Sequence, residues 1–236
     1  MKNRCIFPAF LLLISILPCC KTSESEYREA VLNARGPDFR MAESFFENYI
    51  LEEPHFDSAW FYLGYCKQRN GDIRGAIKCY DELIKLNRTF YEVYNMRGIC
   101  KGMLGDMDGE MRDYDKCIEL APDFQRPYYN RGNLKYDRGD LPGALNDYSK
   151  AIEILPTYSK ARFNRGNVLD ELKRYEEAIA DYYVAAKDTV LDGEAYYNIG
   201  MDYFKMGDST AACRCLDSAL LLRFQKAGSE LKLHCK

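Results

Sequence analysis

Thirty-four residues separate like from like along most of this chain, and that interval restricts the fold more than any other feature of the sequence. Counting slots from Gln125, the eighth holds Gly132, and steps of 34 land on Gly64, Gly98, Gly166 and Gly200. The twentieth holds Ala42, Ala76, Ala144, Ala178 and Ala212, with Glu110 as the misfit; the twenty-fourth holds Phe46, Tyr80, Tyr114, Tyr148, Tyr182 and Leu216. A period of this length marks stacked supersecondary units, none of which can bury its apolar face alone. Small residues at slots 8 and 20 let two helices approach to roughly 8–10 Å, and the large residue at slot 24 fills the space between them. Slots 15 and 16 read Gly-Asp at 71–72, 105–106, 139–140 and 207–208. The glycine suits a left-handed turn ending a first helix, A, and the aspartate suits the cap of a second, B. Pro54, Pro122 and Pro156 at slot 32 stop helix B and send the chain into the next unit.

This set of slots resembles the tetratricopeptide repeat family. The resemblance implies an all-α fold, a right-handed α-solenoid of six stacked helix-turn-helix units at 23–56, 57–90, 91–124, 125–158, 159–192 and 193–226. The first unit is the most degenerate, with Ala30 in place of the glycine, which suits an end with no neighbour to cover it. Residues 227–236 are too short for a repeat and are expected to cover the other end as a C-terminal cap. Glu110 is costly at a tight crossing unless it reaches solvent or a cation; either a local shift turns it outward or the joint between units two and four is loosened. The tripeptide Arg138-Gly139-Asp140 occupies the same A–B turn as Asn70-Gly71-Asp72 and is read as turn chemistry.

The chain opens with Lys2 and Arg4, runs through an apolar segment from Cys5 to Leu17 and turns polar after Pro18-Cys19-Cys20. That is the pattern of a secretory signal, too short for a permanent membrane span. Leu17-Pro18-Cys19-Cys20 resembles bacterial lipoprotein signals. The resemblance implies a signal peptide at 1–19, lipidation of Cys20, a short tether at 20–22 and attachment to a membrane through that N-terminal lipid. A plain cleaved signal and an uncleaved anchor are the alternatives, and each puts the repeats outside the cytoplasm, in a bacterial envelope facing the periplasm or exterior. Loss of Lys2 and Arg4 takes the net charge from −3 to −5, so no basic surface recommends nucleic acid.

Seven cysteines remain: Cys66, Cys79, Cys100, Cys117, Cys213, Cys215 and Cys235. Cys66 and Cys100 sit on successive A helices about 10 Å apart, too far for a bridge, and Cys213 and Cys215 point to different sides of one helix. Most are expected as small apolar residues within the helix layers, an exposed one being able to pair in an oxidising compartment. There is no C-x-x-C, and His55 and His234 lie at opposite ends, so no metal site is expected. No cofactor, no small-molecule substrate and no catalytic residues are expected either, because no nucleophile–base pair or phosphate loop appears.

The repeats do carry one row of polar chemistry. Asn130, Asn164 and Asn198 share slot 6, and Asn133 and Asn167 share slot 9, one turn further along the A helices that should line the concave side. An amide both donates and accepts, so a row of them can read the backbone of an extended peptide whatever its side chains. The row resembles the asparagine ladder in the superhelical domain of the O-linked N-acetylglucosamine transferases. That resemblance implies peptide binding at Asn130, Asn133, Asn164, Asn167 and Asn198. In the third unit Met96 takes slot 6 and Asn95 is shifted by one, so the ladder should weaken there. The bland alternative is that the asparagines bond one another. Arg97, Arg131 and Arg165 at slot 7 are expected to bridge to carboxylates of adjacent units. The sequence thus reads as a non-catalytic, membrane-tethered scaffold for a protein or peptide partner. The alternative is an assembly subunit of an envelope complex that uses its outer faces.

Overall fold

The computed structural model describes residues 21–36 and 39–235. The expected signal segment 1–19, the lipidation site Cys20 and Pro37 lie outside the described residues. Among the described residues there are thirteen helices and no strand. Six hairpins follow one another: α1 (Lys21–Arg35) with α2 (Phe39–Glu52), α3 (Asp57–Arg69) with α4 (Ile73–Leu86), α5 (Tyr91–Met103) with α6 (Met107–Leu120), α7 (Gln125–Asp137) with α8 (Leu141–Ile154), α9 (Ser159–Glu171) with α10 (Tyr175–Ala185), and α11 (Asp192–Lys205) with α12 (Ser209–Leu221). A last helix, α13 (Lys226–His234), packs on α12. The chain is an all-α solenoid.

Four of the six hairpin turns are built from the Gly-Asp pair. Gly71, Gly105, Gly139 and Gly207 take φ of 91°, 81°, 78° and 85°, a region open to glycine at little cost. The next residue caps helix B: the carboxylates of Asp72, Asp106, Asp140 and Asp208 accept from the backbone N–H of Gly75, Gly109, Gly143 and Ala211, each at 2.9 Å. Arg138-Gly139-Asp140 is therefore a turn followed by a cap. The fifth hairpin lacks the pair and keeps the shape, with Lys173 at φ 59°; a side chain there costs roughly 1–2 kcal/mol.

Within a hairpin the contact point is the slot-8 glycine under the slot-24 ring. A Cβ on Gly132 would lie 2.8 Å from Tyr148 Cε1, and the same approach recurs at Gly64, Gly98 and Gly166. Tyr80, Tyr114, Tyr148 and Tyr182 are fully buried as a result. Successive A helices touch one another from α1 to α9, whereas each B helix packs against its own A helix and the next. The A helices therefore line the shorter, inner side of the curve.

The cysteines divide. Cys66, Cys79, Cys100, Cys117 and Cys215 are free and buried in the helix layers, where burial raises each thiol above its usual value. Cys213 and Cys235 form a disulfide, with Cα atoms 5.8 Å apart and a sequence separation of 22. That pairing is absent from the sequence reading. It exists because α13 folds back over α12 and closes the C-terminal end with Ala227 buried beneath it.

Candidate functional site

Two side-chain rows run along the A helices, one turned toward the B helices and one toward the inner face. In the first, Arg131 sends Nε and Nη2 to the two oxygens of buried Asp147 at 2.8 and 2.7 Å, and Nη1 to Asp115 of the preceding unit at 2.6 Å. Arg97 repeats this with Asp113 and Asp81. Arg165 grips Asp181 in the same way but meets the Ser149 hydroxyl at 3.1 Å where the previous carboxylate should be. Lys101 and Lys135 add a second cation to Asp113 and Asp147, each at 2.8 Å. The arginines are thus occupied internally, with two arms in their own hairpin and one in its predecessor, and their charge is matched. Such planar two-bond pairing gives the buried aspartates the partners they need.

In the second row the five asparagines come together along α7, α9 and α11. The slot-6 amide of each unit donates to an asparagine of the unit before: Asn164 Nδ2 to Asn133 Oδ1 at 2.8 Å and Asn198 Nδ2 to Asn167 Oδ1 at 3.4 Å. Asn130 donates to Asn95 Oδ1 at 2.9 Å. The asparagines do bond one another, as the bland reading of the sequence anticipated. Asn95 also extends the row into the third unit, where the sequence reading expected it to weaken. The signal was present, since slots 5 and 9 are one helical turn apart and so share a side. Below the row, the slot-24 tyrosines finish the network: Tyr148 Oη donates to Asn133 Oδ1 at 2.7 Å and Tyr182 Oη to Asn167 Oδ1 at 2.8 Å. Burial raises both hydroxyls above the usual tyrosine value, so they stay protonated donors.

This bonding leaves a polarity. The Oδ1 atoms of Asn130, Asn164 and Asn198 accept no hydrogen bond among the described residues, so the inner surface presents one uncommitted acceptor in each of the last three units. The row opens into two adjoining cavities. One, of about 490 Å³, lies between the third and fourth units beside Asn130 and Asn133; the other, of about 290 Å³, lies between the fourth and fifth beside Asn133, Asn164 and Asn167. Tyr136 stands at the second, its hydroxyl bonded to Glu171 and, chiefly through that bond, raised to about 12.

Glu110 borders the first cavity. Within its own hairpin, Gly98 still sits as close under Tyr114 as its counterparts do under their rings. The Glu110 carboxylate turns outward to the edge of that cavity, where it lies over Gly102 and accepts from Tyr114 Oη at 2.9 Å. Burial raises its carboxyl above the usual value, against the Tyr114 hydrogen bond and Arg138, which pull it down. Among the described residues no group of three or more His, Cys, Asp and Glu side chains is placed to hold a metal ion.

Family models described as "Tetratricopeptide repeat" match residues 58–90, 91–124 and 193–226, and one described as "TPR repeat" matches 132–173. Together they cover more than half of the chain. Solved structures with a similar fold include MamA, with 23% identity and a TM-score of 0.64 over 74% of this chain and 96% of that one. YrrB, described as a TPR protein with an unusual peptide-binding site, gives 18% and 0.66 over 79% and 97%. A tetratricopeptide repeat protein from Parabacteroides merdae gives 19% and 0.65 over 85% and 80%. No curated protein matches the chain.

Proposed function

Because this chain belongs to the tetratricopeptide repeat family, we propose that it is a protein-interaction scaffold whose concave groove holds an extended peptide segment of a partner, and that it does so from a membrane. One observation carries the groove reading: Asn130, Asn164 and Asn198 present an unspent acceptor oxygen in the fourth, fifth and sixth units, the first two beside adjoining cavities. An extended peptide offers backbone N–H donors at regular intervals, and acceptors fixed on a rigid array meet them with little ordering cost. Asn133 and Asn167 act as bridges that hold the outer amides in orientation. The solved structure of YrrB, whose description names a peptide-binding site, is support by likeness of fold.

The membrane reading draws on the lipoprotein-like sequence ending at Cys20 and on the Cys213–Cys235 bond. Disulfides persist in oxidising compartments, which is where a lipid-anchored envelope protein would keep its repeats. A second reading is an assembly subunit that engages its partner through outer surfaces. It is favoured by Leu51 near the end of α2, Val190 before α11 and Leu221 at the end of α12, which are 80%, 83% and 85% exposed.

Replacing Asn130, Asn164 and Asn198 together with alanine separates the two. Binding of the full-length protein to a positional-scanning library of short unstructured peptides is expected to fall at least about tenfold, three hydrogen bonds being removed at about 0.5–1.5 kcal/mol each. Helical content by circular dichroism should stay unchanged. Unaltered peptide binding by the triple variant sinks the groove reading and favours the outer surfaces.

A further inference from the structure

The third unit departs from the repeat at two slots that face each other. Slot 20 is alanine in every other unit and Glu110 here; slot 12 is Ala34, Gln68, Tyr136, Asp170 or Phe204 elsewhere and Gly102 here. The two departures fit one another. A Cβ added to Gly102 would come within 2.5 Å of Glu110 Oε2, so the carboxylate occupies room that only the glycine leaves. An oversized residue at a crossing is ordinarily a packing error; here a second substitution removes the clash and points the carboxylate into the groove.

The space it enters is the cavity of about 490 Å³ between the third and fourth units. Ile99, Met103 and Leu134 make an apolar wall, Glu110 and Asp137 supply carboxylates, and Asn130 and Asn133 of the ladder form its border. Neither carboxylate has an ion-pair partner among the described residues. Arg138, the cation that Glu110 feels, is itself tied to Asp108 at 2.9 Å.

We propose that this cavity is a specificity pocket for one lysine or arginine side chain of the peptide carried on the asparagine row. The aliphatic stem lies along Ile99, Met103 and Leu134, and the cation meets Glu110 and Asp137, which suits a side chain that is apolar along its length and charged at its tip. This rests on the groove reading and adds a sequence preference to it. A purely internal role for Glu110 has an argument too. Slot 9 of this unit is Ile99, so Tyr114 lacks the asparagine that receives the hydroxyl in the next two units and uses Glu110 instead. An uncharged glutamine would accept that bond equally well. What the internal role leaves unexplained is the negative charge.

The test is therefore Glu110→Gln, which keeps shape and the Tyr114 bond and deletes only the charge. The full-length protein and the variant are each applied to the positional-scanning peptide library. The expected result is enrichment of lysine and arginine over glutamine and glutamate at one peptide position, about tenfold in the parent protein and flattened in E110Q. Overall binding to peptides lacking a basic residue should be equal in the two. Peptide binding that depends on Asn130, Asn164 and Asn198 but shows no basic preference, or a preference that E110Q retains, overturns the pocket and leaves the groove standing. Absence of peptide binding in the parent protein overturns both.

Discussion

Asp202 shows what a single slot can cost. Slot 10 is apolar in the other units, as Leu32, Cys66, Cys100, Leu134 and Val168, yet here a carboxylate is 1% exposed, with Oδ1 bonded to Lys205 at 3.1 Å and Oδ2 without a partner among the described residues. Burial, reinforced by Asp170 and opposed by Lys205, raises its carboxyl from 3.8 to about 7. The folded chain thus keeps this proton where the unfolded chain has released it, and the contribution of Asp202 to stability falls as pH rises between those values. Asp202→Asn should therefore stabilise the protein by about 1–3 kcal/mol at pH 8, with the gap narrowing in mild acid. Urea unfolding of both proteins at the two pH values measures it; an equal gap at both would contradict the assignment. Residue-level detail of this kind was only partly legible beforehand. The slot-6 asparagines were visible as a row, because a fixed period puts equal slots on equal faces. Their bonds to Asn133, Asn167 and Asn95 depend on how far each A helix is rotated against the next, which no slot count encodes.

Hairpins were the most legible level, since the second, third and fourth are each specified several times over by a glycine under a ring, a glycine in the turn and an aspartate cap. The fifth hairpin keeps its shape with Lys173 in the turn, so packing of Ala178 and Tyr182 under Gly166 outweighs poor turn chemistry. The C-terminal element was less legible. Cys213 and Cys235 belong to no spacing motif, and only the fold-back of α13 brings them together. In the chain-entropy picture, closing a loop of this length is worth about 3 kcal/mol. Because neighbouring units alone share contacts, the benefit should be local. Replacing both cysteines with serine should speed amide hydrogen exchange in α12 and α13 and leave α7 and α8 as protected as before. A uniform loss of protection along the chain would show that the stack behaves as one cooperative block instead.

At the scale of the whole molecule, thirty-four-residue periodicity conveyed the architecture because a solenoid is one unit repeated, so errors in one repeat are corrected by the next. The proposed N-terminal anchor has no such redundancy and rests on one short stretch before Cys20. Cys20→Ala expressed in a bacterial host should shift the protein from the membrane to the soluble fraction and abolish incorporation of a labelled fatty acid. Labelling that survives the change would place the lipid elsewhere, and membrane retention without labelling would call for an uncleaved anchor. The bond between Cys213 and Cys235 then gives the stack a direction. A pile of modules held only by adjacent contacts sheds them from whichever extremity is free. With the C-terminal extremity stitched shut, force or heat peels the array inward from its first hairpin. The hairpins that carry Asn130 and Asn164 are reached only after three others have gone, so a captured strand would be held through much of the unravelling.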